Sequence, residues 1–259
     1  MKALFPAFYA SFRPNAGICS SVHVRFFSVF TLFVAVFGIF GGTCWGADLA
    51  DYVTVKDGIV EASAAETVQT LKDKYAKASG SKEKLDILTL LAPLQEHLGL
   101  YQDAQMNYSI AANLSASIKA SSGEGAAADE ALLLGAVRCA LSCGDTPSAD
   151  YILSTAFSSP VSQETQAYKI LYAVWSWLCK SEDDVIPAQP VAVLKQSIQL
   201  STMKVVKPAM LLTLWYVTGD GTYATQLEKE YPQSPEYAVT KGNASFMPVP
   251  FWFFVRPAR

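Results

Sequence analysis

A glycine followed by small and aromatic residues at helical spacing constrains the fold of this chain more than any other feature. Gly99 provides the backbone freedom that a tight turn needs, and Tyr101 follows it directly after one leucine. Ala104, Tyr108 and Ala111 then recur at intervals of four and three residues, which places them on one face of a helix. Such a face predicts a helix that packs closely against the helix before the turn.

The same offsets recur further along the chain. They are found at Gly144, Ala149, Leu153 and Ala156. Ala224 also follows Gly219 by the interval that separates Ala104 from Gly99. The repetition predicts an all-α fold, a stack of helical hairpins, and such stacks serve mainly to hold other molecules.

Hydrophobic periodicity and breaker residues predict where the individual helices lie. The predicted helices cover residues 62–78, 81–98, 101–118, 130–142, 148–157, 165–180, 191–200, 205–217 and 222–230. We expect Pro93 to kink the second of these helices or shift its start, because proline lacks an amide donor and collides with the preceding turn. Residues 120–125, which are small and polar, are predicted to be a linker, and Tyr231, Pro232, Ser234 and Pro235 are expected to end the last hairpin.

The order of glycine, alanine, aromatic residue or leucine, and alanine resembles the second half of the tetratricopeptide repeat (TPR). The resemblance is clearest over residues 85–157. It implies a TPR-like α-solenoid of about four hairpins and assigns its repeat positions to Gly99, Tyr101, Ala104, Tyr108, Gly144, Ala149, Gly219 and Ala224. The interval from Gly99 to Gly144 is 45 residues, whereas that family expects about 34.

The resemblance also implies a function. Proteins of this kind mediate protein–protein interaction without turnover, so we expect a non-enzymatic scaffold with a protein partner. By the geometry of the family, the first helices of the hairpins line a groove for that partner. The residues that would point into it are Glu96, His97, Arg138, Thr213 and Tyr216.

The N-terminal region has the pattern of an export signal. Arg25 precedes residues 26–40, which carry no charge, and Gly41, Gly42, Thr43 and Cys44 follow them. Three outcomes stay open: cleavage after Gly46, lipid modification at Cys44, or retention as a transmembrane anchor. All three predict a periplasmic location, either free or anchored to the membrane, in a bacterial-type envelope. The predicted divisions are a signal or anchor at 1–46, a helical-repeat domain at 47–240 and an aromatic tail at 241–259.

The distribution of charge argues against nucleic acid as a partner. Residues 1–44 contain three basic and no acidic residues. Removing these from the 20 basic residues of the whole chain leaves 17 against 23 acidic residues in the rest. A domain with this excess of negative charge repels phosphate backbones. We therefore expect no nucleic-acid binding.

Few residue patterns in this chain could support catalysis. His97 is the single histidine after residue 44. No Ser or Cys nucleophile therefore has a second histidine to serve it, and no histidine pair is present to complete a zinc site. Residues 182–184 form an acidic cluster, which we interpret as a solvated turn. We expect no enzyme activity, no cofactor and no metal.

The cysteines and the aromatic residues leave alternatives open. Cys139 and Cys143 are interpreted as small side chains of a helix interface, although a Cys143–Cys179 disulfide is an alternative. Tyr168, Tyr172 and Trp175 form a helical stripe that predicts core packing. The alternative function is a carrier that holds a small apolar or lipid ligand in an aromatic groove. The tail segment 246–254 is too short and too rich in proline to span a bilayer as a helix.

Overall fold

The computed structural model describes residues 55–56, 59–60, 64–158, 160–180 and 187–242. The chain divides into two units, one of Met1–Cys44 with Lys56–Val60 and one of Trp45–Val55 with Glu61–Arg259. Strands β1 (Val55–Lys56) and β2 (Ile59–Val60) pair with each other in a two-stranded sheet. The predicted signal or anchor, including Cys44, and the tail segment 246–254 lie outside the described residues.

From Ala64 onward, the described part of the second unit consists of helices joined by turns and loops. Its helices are α1 (Ala64–Lys77), α2 (Ser81–His97), α3 (Tyr101–Ser122), α4 (Glu130–Ser142), α5 (Thr146–Tyr151), α6 (Gln163–Lys180), α7 (Ala188–Ser197), α8 (Lys207–Thr218), α9 (Gly221–Glu230) and α10 (Pro235–Thr240). A π-helical turn at Ile152–Ala156 continues α5, and a 3₁₀ turn at Ser201–Met203 follows α7. The prediction of a helical fold is confirmed for this unit.

Several helices begin or end a few residues away from the predicted ranges. Pro93 lies inside α2, which begins at Ser81 as predicted, and α7 covers Ala188–Ser197 where 191–200 was predicted. Helix α3 continues to Ser122, four residues beyond the predicted end, and stops at Gly123 in the left-handed conformation. Helix α10 was not predicted, although Ser234 caps it by accepting a hydrogen bond from the Tyr237 amide at 3.1 Å.

The glycines that open the predicted hairpins adopt a left-handed backbone. The φ angle is 77° at Gly99 and 75° at Gly144, a region that side chains with a Cβ rarely occupy. Ala104 and Ala149 have no exposed surface, whereas Ala224 is half-buried. A methyl group thus lies at two fully buried positions between helices, where a larger side chain would separate the helices.

The buried apolar side chains form two clusters. The first cluster, from α1 to α4, is Val68, Leu71, Ala78, Ile87, Leu88, Leu90, Leu91, Ala92, Ala104, Tyr108, Ala111, Ala112, Leu132, Leu133, Ala136 and Cys139. The second cluster, from α4 onward, is Leu134, Val137, Ala140, Leu141, Ala149, Ala167, Leu171, Tyr172, Val174, Trp175, Leu178, Leu194, Ile198, Met203, Val206, Met210, Leu211, Leu212, Leu214 and Leu227. Helix α4 contributes to both, which explains why it is apolar nearly all round.

Asp129 fixes the start of α4. Its Oδ1 accepts hydrogen bonds from the amides of Ala131 at 2.9 Å and Leu132 at 3.3 Å. We expect Asp129→Ala to lower the free energy of unfolding by about 1 kcal/mol, the usual value of an N-cap. Urea denaturation measures the change, with Glu124→Ala in the preceding loop as the control. Equal midpoints for the two variants would contradict the capping role.

Candidate functional site

An ion pair between α2 and α4 is the most buried charged contact among the described residues. The Arg138 Nε donates to Glu96 Oε1 and the Arg138 Nη2 donates to Glu96 Oε2 at 2.6 Å. The side chain of Glu96 is 8 % exposed and that of Arg138 is 26 % exposed. A planar guanidinium matches a carboxylate in this two-bond arrangement, which fixes the orientation of both side chains.

Two tyrosines complete this site. The Tyr108 hydroxyl, from α3, donates to Glu96 Oε2 at 2.9 Å. This oxygen therefore accepts from both Tyr108 and Arg138. Tyr172, from α6, lies beside the Arg138 guanidinium. We call Glu96, Tyr108, Arg138 and Tyr172 the polar cluster. It joins four helices of the first and second apolar clusters.

Burial and charge shift the pKa values of this cluster. Burial raises the pKa of Tyr108 well above its usual value, and the Glu96 carboxylate raises it further. Burial also raises the pKa of Tyr172, against the opposing effect of the nearby guanidinium. For Arg138, burial lowers the pKa, but the Glu96 carboxylate together with Tyr172 and Tyr108 outweighs this effect and leaves the pKa well above the usual range. Arg138 therefore stays charged and both tyrosines stay neutral at neutral pH.

A second set of hydrogen bonds joins α2 to α3 and ends in an exposed ion pair with α1. The Asn107 Nδ2 donates to Gln95 Oε1 at 2.6 Å, and the Gln95 Nε2 donates to Asp103 Oδ2 at 3.4 Å. Lys72, on α1, pairs with Asp103 at 3.0 Å. Since Gln95 and Asn107 are buried and bonded to each other, they hold α2 and α3 in one register.

The structure separates the five residues predicted to line a partner groove. Glu96 and Arg138 bind each other inside the molecule, whereas His97 is exposed. Thr213 has no exposed surface, accepts a hydrogen bond from the Trp175 Nε1 at 2.9 Å and donates to the Ala209 carbonyl at 2.7 Å. Tyr216 is half-buried against the second cluster. Of the five, His97 is exposed and Tyr216 is half-buried, so these two positions keep surface that a partner can reach.

One sequence signal for the polar cluster lies in α4. Arg138 is the one basic residue of α4, and nine of the thirteen residues of that helix are buried. An arginine in such a helix needs an acidic partner inside the protein, because burying an unpaired charge is very costly. That argument points to an acidic residue on a neighbouring helix, but which residue and which tyrosines surround it depend on the packing.

The aromatic stripe of α6 belongs to the core. Tyr172 and Trp175 are 2 % and 3 % exposed. Their rings stack with centroids 5.5 Å apart, and Tyr168 lies 5.8 Å from Tyr172. The stripe is therefore filled by its own neighbours, which leaves little surface for the apolar ligand of the carrier alternative.

The three cysteines after residue 44 are free thiols. Cys139 is buried and burial raises its pKa, so it is an unreactive apolar side chain. Cys143 is exposed and Cys179 is half-buried, and they form no disulfide with each other. Across the described residues, no group of three His, Cys, Asp or Glu side chains is placed to hold a metal ion.

An open groove of about 360 Å³ lies between α7 and the end of α8. Its lining is Ala188, Val191, Ala192 and Lys195 from α7 and Val217 and Thr218 from α8. We call it the α7–α8 groove. Apart from Lys195 and Thr218 its side chains are apolar, and two of them are only methyl groups.

Tyr101, the first residue of α3, makes the stability of the protein depend on pH in the alkaline range. Burial, followed by the Glu96 carboxylate, raises the pKa of Tyr101 to about 12, against about 10 in an unfolded chain. The neutral hydroxyl is thus favoured by folding, and this contribution is present below pH 10 and lost between pH 10 and about 12.

We expect Tyr101→Phe to flatten the alkaline decline in stability. Unfolding free energies measured in urea from pH 8 to pH 11.5 should fall less steeply for this variant than for the wild type. Tyr151→Phe is the matched control, because Tyr151 is 68 % exposed, and its slope should equal that of the wild type. Parallel curves for wild type and Tyr101→Phe would contradict the assignment.

Comparison with known proteins yields one match. A family model, TP_0752_M, described as a middle domain, matches residues 179–259. The matched part begins inside α6 and includes α7 to α10 and the α7–α8 groove. The description names no activity, ligand or partner. No curated protein and no solved structure matches the chain.

None of the described helices is both long enough and apolar enough to cross a membrane.

Proposed function

We propose that the helical unit is a TPR-like solenoid that acts as a non-enzymatic scaffold for protein–protein interaction. The observation that carries this proposal is the order of helix contacts. Helix α2 contacts α3 extensively and α4 only lightly, α3 packs along α4, and α4 in turn contacts α5 and α6. A series in which each first helix touches its own partner and the first helix of the next pair is the arrangement of stacked hairpins.

The polar cluster favours a structural role over catalysis. The Glu96 carboxylate accepts from Arg138 at both oxygens and from Tyr108 at one of them. A general acid or base needs a free position within hydrogen-bond reach of a substrate. These groups instead use their hydrogen-bonding capacity to join α2, α3 and α4.

We also propose that the chain is exported to a bacterial-type envelope. The basic residues before the uncharged segment 26–40 support export. Asn107, Tyr108 and Ser109 match the acceptor sequence for N-glycosylation, yet Asn107 is 8 % exposed and its amide is bonded to Gln95. A glycan attached to Asn107 before folding would prevent α3 from packing against α2. A compartment without N-glycosylation therefore suits this chain better.

Site-specific photocrosslinking in envelopes tests the scaffold proposal. A photoreactive phenylalanine analogue replaces His97 in one variant of the full chain and Tyr216 in another. We expect both positions to capture the same protein in near-stoichiometric yield. The control position is Lys229, which is exposed on α9. No discrete product, or an equal product from position 229, would overturn the proposal, and lipid co-purifying in place of protein would favour the carrier.

A further inference from the structure

The α7–α8 groove is a place where an extended apolar segment can bind. It is open to solvent, and Val191 and Val217 line it together with the methyl groups of Ala188 and Ala192. Both alanines are exposed. Small side chains at the rim leave room for large rings, because the depth of a groove on a helix surface depends on the side chains that flank it.

The chain itself contains a segment of matching chemistry. Residues 246–254 read FMPVPFWFF, with five aromatic residues and no charge. Pro248 and Pro250 favour an extended backbone over a helix. A run of aromatic side chains of this kind is costly to leave in water, so it requires an apolar surface to cover it.

We propose that residues 246–254 bind in the α7–α8 groove of the same molecule. The groove then acts as an intramolecular site for an extended aromatic segment. This inference stands independently of the scaffold proposal.

The length of the chain beyond the described helices allows this contact. Lys207 at the start of α8 pairs with Glu230 at the end of α9 at 2.7 Å, so the chain returns to the start of α8 before α10. Helix α10 contacts both α8 and α9. The twelve residues of α8 span about 18 Å, while the nine residues from Gly242 to Phe251 extend to about 30 Å.

Lys195 gives the groove a way to recognise aromatic rings. It is exposed on α7 at the edge of the groove. Ammonium groups bind the faces of aromatic rings, and this chain already uses that contact where the Lys169 Nζ lies 4.6 Å from the centre of the Phe157 ring. An aromatic side chain in the groove would bring its ring within reach of the Lys195 ammonium.

The family comparison supports the same pairing. The match over residues 179–259 includes both the groove and the segment 246–254. The two features therefore occur within one matched stretch of sequence. A membrane is the weaker candidate for the segment, because nine residues with two prolines cannot span the hydrocarbon layer.

Photocrosslinking from position 252 tests the proposal. The full chain carries a photoreactive phenylalanine analogue in place of Trp252 and is reconstituted in vesicles of phosphatidylglycerol and phosphatidylethanolamine. An equimolar mixture of ¹⁴N- and ¹⁵N-labelled protein is irradiated, and the products are mapped by mass spectrometry. We expect crosslinks to residues 188–197 or 217–218 within one isotopic species.

Two surface variants make the test specific. Ala192→Glu should reduce the yield of that crosslink about tenfold, because a carboxylate placed among apolar groups weakens binding. Ala173→Glu is the control, since Ala173 is exposed on α6 and outside the groove, and it should leave the yield unchanged. Lipid adducts, crosslinks between isotopic species, crosslinks elsewhere in the chain, or equal yields from the two variants would overturn the proposal.

Discussion

Replacing Arg138 with methionine is expected to lower the free energy of unfolding by about 3 kcal/mol, the lower end of the cost of breaking a buried ion pair. The lower end applies because the Arg138 side chain is 26 % exposed. Glu96 would keep the hydrogen bond from the Tyr108 hydroxyl, but its charge would be uncompensated among apolar side chains. Methionine keeps most of the side-chain volume, so the effect reports charge rather than a cavity.

Two further variants separate the ion pair from general damage to the fold. In Glu96→Leu/Arg138→Met both charges are absent, and we expect this double variant to recover much of the lost stability. Lys72→Met breaks the exposed pair with Asp103, whose side chains are 43 % and 45 % exposed, and should cost about 0–1 kcal/mol. Urea denaturation measures all three. A single Arg138→Met variant as stable as the wild type would show that the pair contributes little.

Substituting Gly135 with alanine is expected to lower the free energy of unfolding by about 2–3 kcal/mol through overpacking. A Cβ at position 135 would lie 2.6 Å from Cε1 and 2.7 Å from Cζ of the Tyr108 ring. The ring cannot move freely, because its hydroxyl is bonded to Glu96 and the side chain is 5 % exposed. The clash therefore exceeds the gain of up to about 1 kcal/mol that alanine brings to a helix.

The same substitution at a site with open space provides the control. Gly221, the first residue of α9, has no atom within 4 Å of a Cβ built there. Gly221→Ala should be neutral or slightly stabilising. When Tyr108→Leu has removed the ring, adding Gly135→Ala should cost less stability than Gly135→Ala costs in the wild type. If Gly135→Ala melts at the temperature of Gly221→Ala, close packing of the Tyr108 ring on α4 is wrong.

Local sequence signals were sufficient to predict most of the helices. The limits of α4 were predicted correctly from its apolar run, which begins directly after the Asp129 cap. Helix α10 was missed, since Pro235 was interpreted as a terminator although proline also starts helices. The extra turn of α3 was missed for a related reason: Ser121 and Ser122 lack strong helix propensity, and the helix ends only where Gly123 turns left-handed.

The candidate site was less predictable than the fold. Glu96 and Arg138 were singled out as groove residues, but the sequence does not say that they face each other 42 positions apart. Thr213 was assigned to the same groove, whereas its hydroxyl is bonded to the indole of Trp175. Which polar side chain meets which depends on the angles between helices, and these angles follow from the packing of many side chains at once.

The double role of α4 has a consequence for the cooperativity of unfolding. Because α4 supplies Leu133 to the first cluster and Val137 to the second, neither half can melt while the other keeps a complete α4 interface. We therefore anticipate one thermal transition for the described helices rather than two. A fragment that starts at residue 179, where the family match begins, would lack Leu171 and Trp175 from its own core and should be a poor autonomous folding unit.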